Sequence, residues 1–453
     1  MRTIQLALCV LLLAVSATAW AADGGKDLVA NGDFAIAGNA GLPANWTPWT
    51  PLCASAAAAV SCTPEGLLVE SPNEPYGVGG VTQKLAGIEG GKAYAVETIC
   101  EMRNIPAPVR AVNVRLLWTR SGKPLHPAGV LVRGPEIAGG KAAFRDVLVA
   151  PPEADAATLT LEVKWPEGGS VLFRRVSVRP TETPPPRKVK VGAVYLRPKN
   201  STPEKNMDLW CAKIDEAGGL GLDIVCLGEA ILQVGTSASA LDVAEAIPGP
   251  STERLGAAAK KNHVWVVAGL YERASTRIYN TAVLLDRDGR LAGTYRKVHL
   301  PREEWTKGIT PGTEYPVFKT DFGTVGIQIC YDWFFPEAAE IFALKGAEIL
   351  FAPTWGDTKA DQDGAAQGET VFRTRARDNG LYLVPCVYDG SSMVIDPMGR
   401  ILASNKGAEG VFWCEIDLAR REPLWWVGHW RSIGPRDRMP ETYAPLVGRS
   451  AQP

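Results

Sequence analysis

Short runs in which apolar and polar residues alternate dominate the first third of the chain. Val112-Asn113-Val114-Arg115-Leu116-Leu117-Trp118 and Leu159-Thr160-Leu161-Glu162-Val163-Lys164-Trp165 repeat with period two, as strands with one buried face do. Gly and Pro clusters separate such runs, and no long stretch of period 3.6 occurs in residues 25–179. That region predicts an all-β sandwich domain. In residues 189–445 the pattern changes. Residues 189–195 form an apolar strand, and 203–217 carry Leu209, Ile214 and Ala217 on a helical pattern. Residues 222–227 make a second strand of the fully buried kind, and similar segments follow at 264–270, 281–286, 324–329, 337–345, 349–352, 367–379 and 382–387. Strands alternating with helices predict an α/β domain.

Between the two regions, residues 180–188 contain Pro184-Pro185-Pro186, which favours a stiff, extended linker. Residues 1–21 read as a secretory signal peptide. Arg2 is the positive start, residues 6–15 are an apolar run too short to span a bilayer comfortably, and Ala19-Trp20-Ala21 offers small residues at −3 and −1. The expectation is an exported protein, periplasmic or extracellular.

Composition trims the remaining options. Lys+Arg 48 against Asp+Glu 49 leaves a net charge of −1 in 453 residues, so no basic surplus points to nucleic acid. With Cys9 inside the signal segment, eight cysteines remain and none forms a Cys-x-x-Cys pair, which argues against a structural zinc site. In an oxidising compartment Cys53 and Cys62 are placed to pair across a short loop. Only four His are present, too few for a His-rich metal site, and no metal or organic cofactor is expected.

The candidate chemistry lies at strand ends, where open α/β sheets build their sites. Asp223-Ile224-Val225-Cys226-Leu227-Gly228-Glu229 is a buried run ending in a carboxylate. Thr294-Tyr295-Arg296-Lys297 ends in a lysine, and Val325-Gly326-Ile327-Gln328-Ile329-Cys330 ends in a cysteine just before a helix. A thiol needs deprotonation to become a strong nucleophile. A nearby carboxylate suits it as proton acceptor, and a lysine can steady the oxyanion that attack on a carbonyl creates. His299 reads as a packing residue. Tyr331, Trp333 and Trp355 either line the pocket or pack beside it.

These motifs stand in the order found in the nitrilase, or carbon–nitrogen hydrolase, superfamily, which residues 189–445 resemble. They are Gly228-Glu229, Arg-Lys-Val-His-Leu-Pro at 296–301, Thr310-Pro311-Gly312, Ile329-Cys330-Tyr331-Asp332 with Phe335-Pro336-Glu337, Arg375-Ala376-Arg377-Asp378-Asn379-Gly380, and Asp396-Pro397-Met398-Gly399-Arg400. The resemblance implies a four-layer α-β-β-α sandwich, Glu229 as general base, Lys297 as the stabilising cation and Cys330 as nucleophile. It also implies a second glutamate, for which Glu303 and Glu304 both qualify, with Glu304 favoured. Tyr331-Asp332 after the cysteine resembles amide-cleaving branches rather than true nitrilases, and the usual Pro before the base glutamate is Gly228 here. Tyr331 and Trp355 are the candidate substrate-binding residues, and a homo-oligomer is expected.

The N-terminal region, with Leu28-Val29-Ala30-Asn31-Gly32-Asp33-Phe34 at its start and Val171-Leu172-Phe173-Arg174-Arg175-Val176-Ser177-Val178 at its end, resembles jelly-roll, carbohydrate-binding-like domains. Its Trp46, Trp49, Tyr76, Trp118 and Trp165 either stack on sugar rings or fill the core. The expected function is hydrolysis of a small linear amide or N-carbamoyl compound through a cysteine thioester. Two alternatives stand beside it: a carbohydrate-binding or cell-surface protein with an inert α/β domain, and an acyltransferase of the same fold.

Overall fold

The computed structural model describes residues 25–72, 74–356 and 367–448. The expected signal segment lies outside them. The chain divides into two compact units, Met1–Pro184 and Pro185–Pro453, so the division falls inside the proline run. Strand Ser170–Thr181 continues to the end of its ladder, with Pro180 opposite Tyr94 and Thr181 opposite Ala93. Residues 180 and 181, read as linker on their composition, are therefore strand.

The first unit contains two antiparallel six-stranded sheets. One orders Thr47–Trp49, Val78–Leu85, Ala156–Lys164, Val112–Arg120 and Lys123–Pro124, with Val130–Leu131 also on Val112–Arg120. The other orders Ala59–Thr63, Gly66–Glu70, Ser170–Thr181, Ala93–Arg103, Lys141–Val149 and Glu136–Ala138. The period-two pattern explains the burial. Val114, Leu116, Leu159 and Leu161 from the first sheet join Leu67, Val69, Val96 and Phe173 from the second in one core. Trp46 and Trp118 are buried in that core, whereas Trp49 and Trp165 are half-buried and Tyr76 is exposed. Cys53 and Cys62 are free thiols. Cys53 meets the Ser55 hydroxyl, and Cys62 donates to the Phe34 carbonyl, so the expected pairing is not made.

The second unit also has two six-stranded sheets, both mixed. The first runs Leu291–Arg296, Arg277–Leu285, Trp265–Ala274, Ile224–Cys226, Lys188–Tyr195 and Gly410–Asp417. Its parallel pairs are Lys188–Tyr195 with Ile224–Cys226, and Ile224–Cys226 with Trp265–Ala274. The second sheet runs Val317–Lys319, Thr324–Ile327, Ile349–Gly356, Tyr382–Asp389, Met393–Ile395 and Ile401–Ser404, with the parallel pairs Thr324–Ile327 with Ile349–Gly356, and Ile349–Gly356 with Tyr382–Asp389. Val191, Val225 and Val267 of one sheet share a single core with Ile327, Leu350 and Val384 of the other.

Helix Pro203–Gly219 starts where Thr202 caps the Lys205 N–H and Pro203 fits the first helical position. It buries Met207, Trp210, Ile214 and Ala217. Leu209, expected on that face, is exposed, and Trp210 occupies the core instead. Met207, Trp210, Ile214 and Ala217 follow one another at steps of three and four residues, and Leu209 falls off that stripe. Helix Pro250–Asn262, which the apolar pattern left unread, packs beside it and against strands Trp265–Ala274 and Arg277–Leu285. Pro336–Leu344 and Gln367–Asn379 pack together, the latter on Tyr382–Asp389. Among the described residues no helix is long and apolar enough to cross a membrane.

Candidate active site

Glu229 lies just past strand Ile224–Cys226 and is buried. The segment that follows is pinned by the neighbouring helix. Asn206 Nδ2 donates to the carbonyls of Ile231, Leu232 and Val234, and Trp210 Nε1 donates to Ile231. Below Glu229, the Tyr388 hydroxyl donates to its backbone carbonyl at 2.7 Å. A Cβ on Gly228 would stand 2.2 Å from the Tyr388 oxygen and 2.3 Å from its ring. Glycine at 228 is thus required by the tyrosine beneath it.

Lys297 follows strand Leu291–Arg296 and is almost completely buried. Its backbone N–H donates to Asn280 O, and its carbonyl accepts from Gly312 N–H of the Thr310-Pro311-Gly312 motif, each at 2.8 Å. A Cβ on Gly312 would meet Arg296 O at 2.2 Å, which explains the glycine. Lys297 Nζ donates to Glu229 Oε1 at 3.0 Å and to Glu304 Oε1 at 2.8 Å. Glu304 rides the single turn Arg302–Trp305 and is half-buried, while Glu303 is exposed. Of the two glutamates, Glu304 is the one joined to Lys297.

Cys330 opens the 3-10 turn Cys330–Phe334 with φ of 44°, a left-handed conformation that a residue with a Cβ adopts at a cost of about 1–2 kcal/mol. Asp332 holds the turn. Its carboxylate is inaccessible to solvent and accepts from Ile329 N–H, His299 N–H, His299 Nδ1 and the Tyr295 hydroxyl at 2.7–2.9 Å. The His299 ring stacks on Phe335 with centroids 3.9 Å apart. The Cys330 thiol lies against the Glu229 carboxylate and the Trp355 N–H. That same N–H donates to Glu229 Oε2 at 2.6 Å.

These side chains share the wall of a cavity of about 400 Å³, with Tyr271 and Trp355 beside them and Glu303 and Lys307 also on its lining. Tyr331 does not line it. Its ring packs against Phe334 and Phe335, because each step of a 3-10 turn rotates the side chain by about 120°. Trp333 is buried and stacks on Phe334, away from this cavity. The other motifs are structural in their contacts: Asp396 accepts from Met398 and Arg400 in a tight turn, and Arg375 reaches the Phe334 carbonyl.

The electrostatics follow from burial. Desolvation, reinforced by Glu229 and opposed by Lys297, pushes the Cys330 thiol up to about 12. Burial alone would depress the Lys297 ammonium, but Glu229, Cys330 and Glu304 outweigh it and hold its pKa well above the ordinary lysine value. Burial also raises the Glu304 carboxyl, with Lys297 opposing and Glu229 adding to the rise. The site at rest therefore holds a protonated thiol and a fixed cation side by side. Among the described residues no group of three or more His, Cys, Asp or Glu could hold a metal ion.

Asn280 was not visible as a candidate in the sequence. It is fully buried and donates to Glu229 Oε1 at 2.8 Å and Glu304 Oε1 at 3.1 Å. Asp332 and Tyr388 were equally silent as supporting residues. Their roles depend on contacts made across the fold rather than on neighbours in the chain.

Comparison with known proteins places the chain among relatives. Residues 190–424 match the family model described as carbon-nitrogen hydrolase. The chain is 31% identical over 240 residues to the omega-amidase NIT2 of Mus musculus, covering 49% of this chain and 86% of that protein. It is 34% identical over 213 residues to a probable nitrilase of Schizosaccharomyces pombe, covering 44% and 75%. A carbon-nitrogen hydrolase structure from Helicobacter pylori aligns at 26% identity and a TM-score of 0.48, covering 58% of this chain and 99% of that one. With over half of its residues matched by the family model, and a thiol, a carboxylate and a lysine gathered on one cavity wall, this chain belongs to the carbon-nitrogen hydrolase family.

Proposed function

We propose that the protein hydrolyses a small linear amide or N-carbamoyl compound through a thioester on Cys330. The observation that carries this reading is the convergence of Glu229, Lys297, Glu304 and Cys330 on a single cavity, with the thiol against the Glu229 carboxylate. Because the thiol is protonated at rest, nucleophilic attack needs a base in place. Glu229 takes the Sγ proton as sulfur bonds to the substrate carbonyl carbon. The Lys297 ammonium meets the oxyanion, a contribution of about 3–4 kcal/mol for a single well-placed donor. Glu229 then returns the proton to the departing nitrogen, the C–N bond breaks, and ammonia or an amine leaves. Water, deprotonated by Glu229, attacks the thioester, and the thiolate recovers a proton as the acid departs. Glu304 orients Lys297 and Glu229.

The same reading takes the second unit as a four-layer α-β-β-α sandwich and the first as a jelly-roll module. The half-buried Trp165 and exposed Tyr76, with ring centroids 6.4 Å apart, are the aromatic surface it offers to a glycan. It also takes the chain as exported after cleavage behind Ala21 and as a homo-oligomer.

The test is ammonia release from primary amides, N-carbamoyl amines, N-carbamoyl amino acids and nitriles, with mass spectrometry of the trapped acyl-enzyme. Cys330→Ala is expected to abolish turnover and the mass shift together. Retained activity in that variant on the best substrate would overturn the reading.

A further inference from the structure

Two glutamate side chains and one lysine side chain meet in the buried cluster. The hydrogen bonding shows how they are arranged. Glu229 Oε1 and Glu304 Oε1 each accept from Lys297 Nζ, at 3.0 and 2.8 Å, and each also accepts from Asn280 Nδ2, at 2.8 and 3.1 Å. Two acceptors and two donors close a ring. The orientation of the Asn280 amide is forced, since turning it over would set its carbonyl oxygen against two carboxylates. Its Oδ1 accordingly has no hydrogen-bond partner among the described residues although it is buried. Placing an amide here costs an unsatisfied acceptor, which is offset by two bonds to charged groups.

We infer that Asn280 is a positioning residue for the reaction: it engages the Oε1 atoms of both glutamates and so turns the Oε2 edge of Glu229, which accepts from the Trp355 N–H at 2.6 Å, toward the Cys330 thiol that meets the same N–H. The inference rests on the proposed function, because it assigns the base work to Glu229. The backbone of Asn280 adds to the constraint, as its carbonyl accepts the Lys297 N–H. One residue on strand Arg277–Leu285 thus fixes the lysine main chain and both carboxylates. The other titratable groups facing the pair are Cys330, Tyr271 and Tyr388. None of them replaces the two amide hydrogens.

The experiment compares Asn280→Leu, which keeps the branched shape and removes the donor, with Asn280→Asp, which adds a third carboxyl group. Loss of a hydrogen bond to a charged group predicts a fall in kcat of about 10- to 100-fold, with KM changed less than threefold. The acid limb of kcat/KM moves to higher pH in both variants, further in the Asp variant, as the carboxylate cluster takes up a proton. Alkylation of Cys330 by iodoacetamide at neutral pH falls by a similar factor and needs no substrate. Folded variants with wild-type kcat, pH profile and alkylation rate would overturn the inference. So would an effect confined to KM, or loss of the cooperative thermal transition in both variants, which would assign Asn280 to fold maintenance alone. A wild-type enzyme with no amide turnover would remove the functional reading, while the alkylation rates would still decide the part assigned to Asn280.

Discussion

Asp332 offers the sharpest test of how Cys330 is held. Its carboxylate is fully buried and takes four hydrogen bonds, from Ile329 N–H, His299 N–H, His299 Nδ1 and Tyr295 OH. It therefore joins the Cys330 turn to the strand end that carries Lys297. In Asp332→Ala, several of these donors are left without acceptors in the interior. Each such loss costs about 1–3 kcal/mol and the losses do not add fully, so the expected destabilisation is about 4 kcal/mol. For a unit of this size that lowers the midpoint by on the order of 10 °C. Asp332→Asn keeps one acceptor oxygen for two donors but presents its NH₂ to Ile329 N–H, and an intermediate loss of about 2 kcal/mol follows. Scanning calorimetry of wild type and both variants supplies the numbers, and kcat on the best amide substrate shows whether the turn still presents the thiol. A loss below about 1 kcal/mol in Asp332→Ala, with kcat unchanged, would refute the assignment.

Two further outcomes follow from the same region. Gly228→Ala drives a methyl group into Tyr388 and is expected to cost about 1–3 kcal/mol and to reduce activity by displacing Glu229. Adding Tyr388→Leu should recover part of the stability, and a double-mutant cycle by urea unfolding with no coupling would count against the contact. Above pH 9 stability is expected to fall. Unfolded thiols lose their protons near pH 9, whereas folded Cys330 keeps its proton to about 12 and Cys414 to about 11. Over that window the unfolded state binds fewer protons, which lowers stability by up to about 1.4 kcal/mol per pH unit for each thiol. Cys330→Ser should flatten the slope, as followed by chemical denaturation from pH 8 to 11.

The sequence carries the candidate residues of the site but little of how they are held. Glu229, Lys297 and Cys330 were legible because each closes an apolar strand, and strand ends of one sheet system converge. The choice between Glu303 and Glu304 was not legible, since both sit on one short turn and only packing decides which faces Lys297. Tyr331 was misread because adjacency to Cys330 says nothing about direction on a tight turn. Asn280 and Tyr388 bear no motif, and the place of Asp332 beside Cys330 in its motif does not disclose its partners across the fold: Tyr295 lies 37 residues from Asp332, Glu229 51 from Asn280 and 159 from Tyr388. Element boundaries show the same division. The helix over Gln367–Asn379 has the bounds its pattern predicts, whereas Leu209 lies off the stripe that Met207, Trp210, Ile214 and Ala217 form at steps of three and four residues.

Glu229 is satisfied from both sheets of its unit. Lys297 and Asn280 reach it from one side, while Trp355 and Tyr388 reach it from strands Ile349–Gly356 and Tyr382–Asp389 on the other. Neither sheet alone carries a complete reaction centre. The arrangement of Glu229 therefore reports assembly: its contacts are complete only when both sheets have formed and packed together.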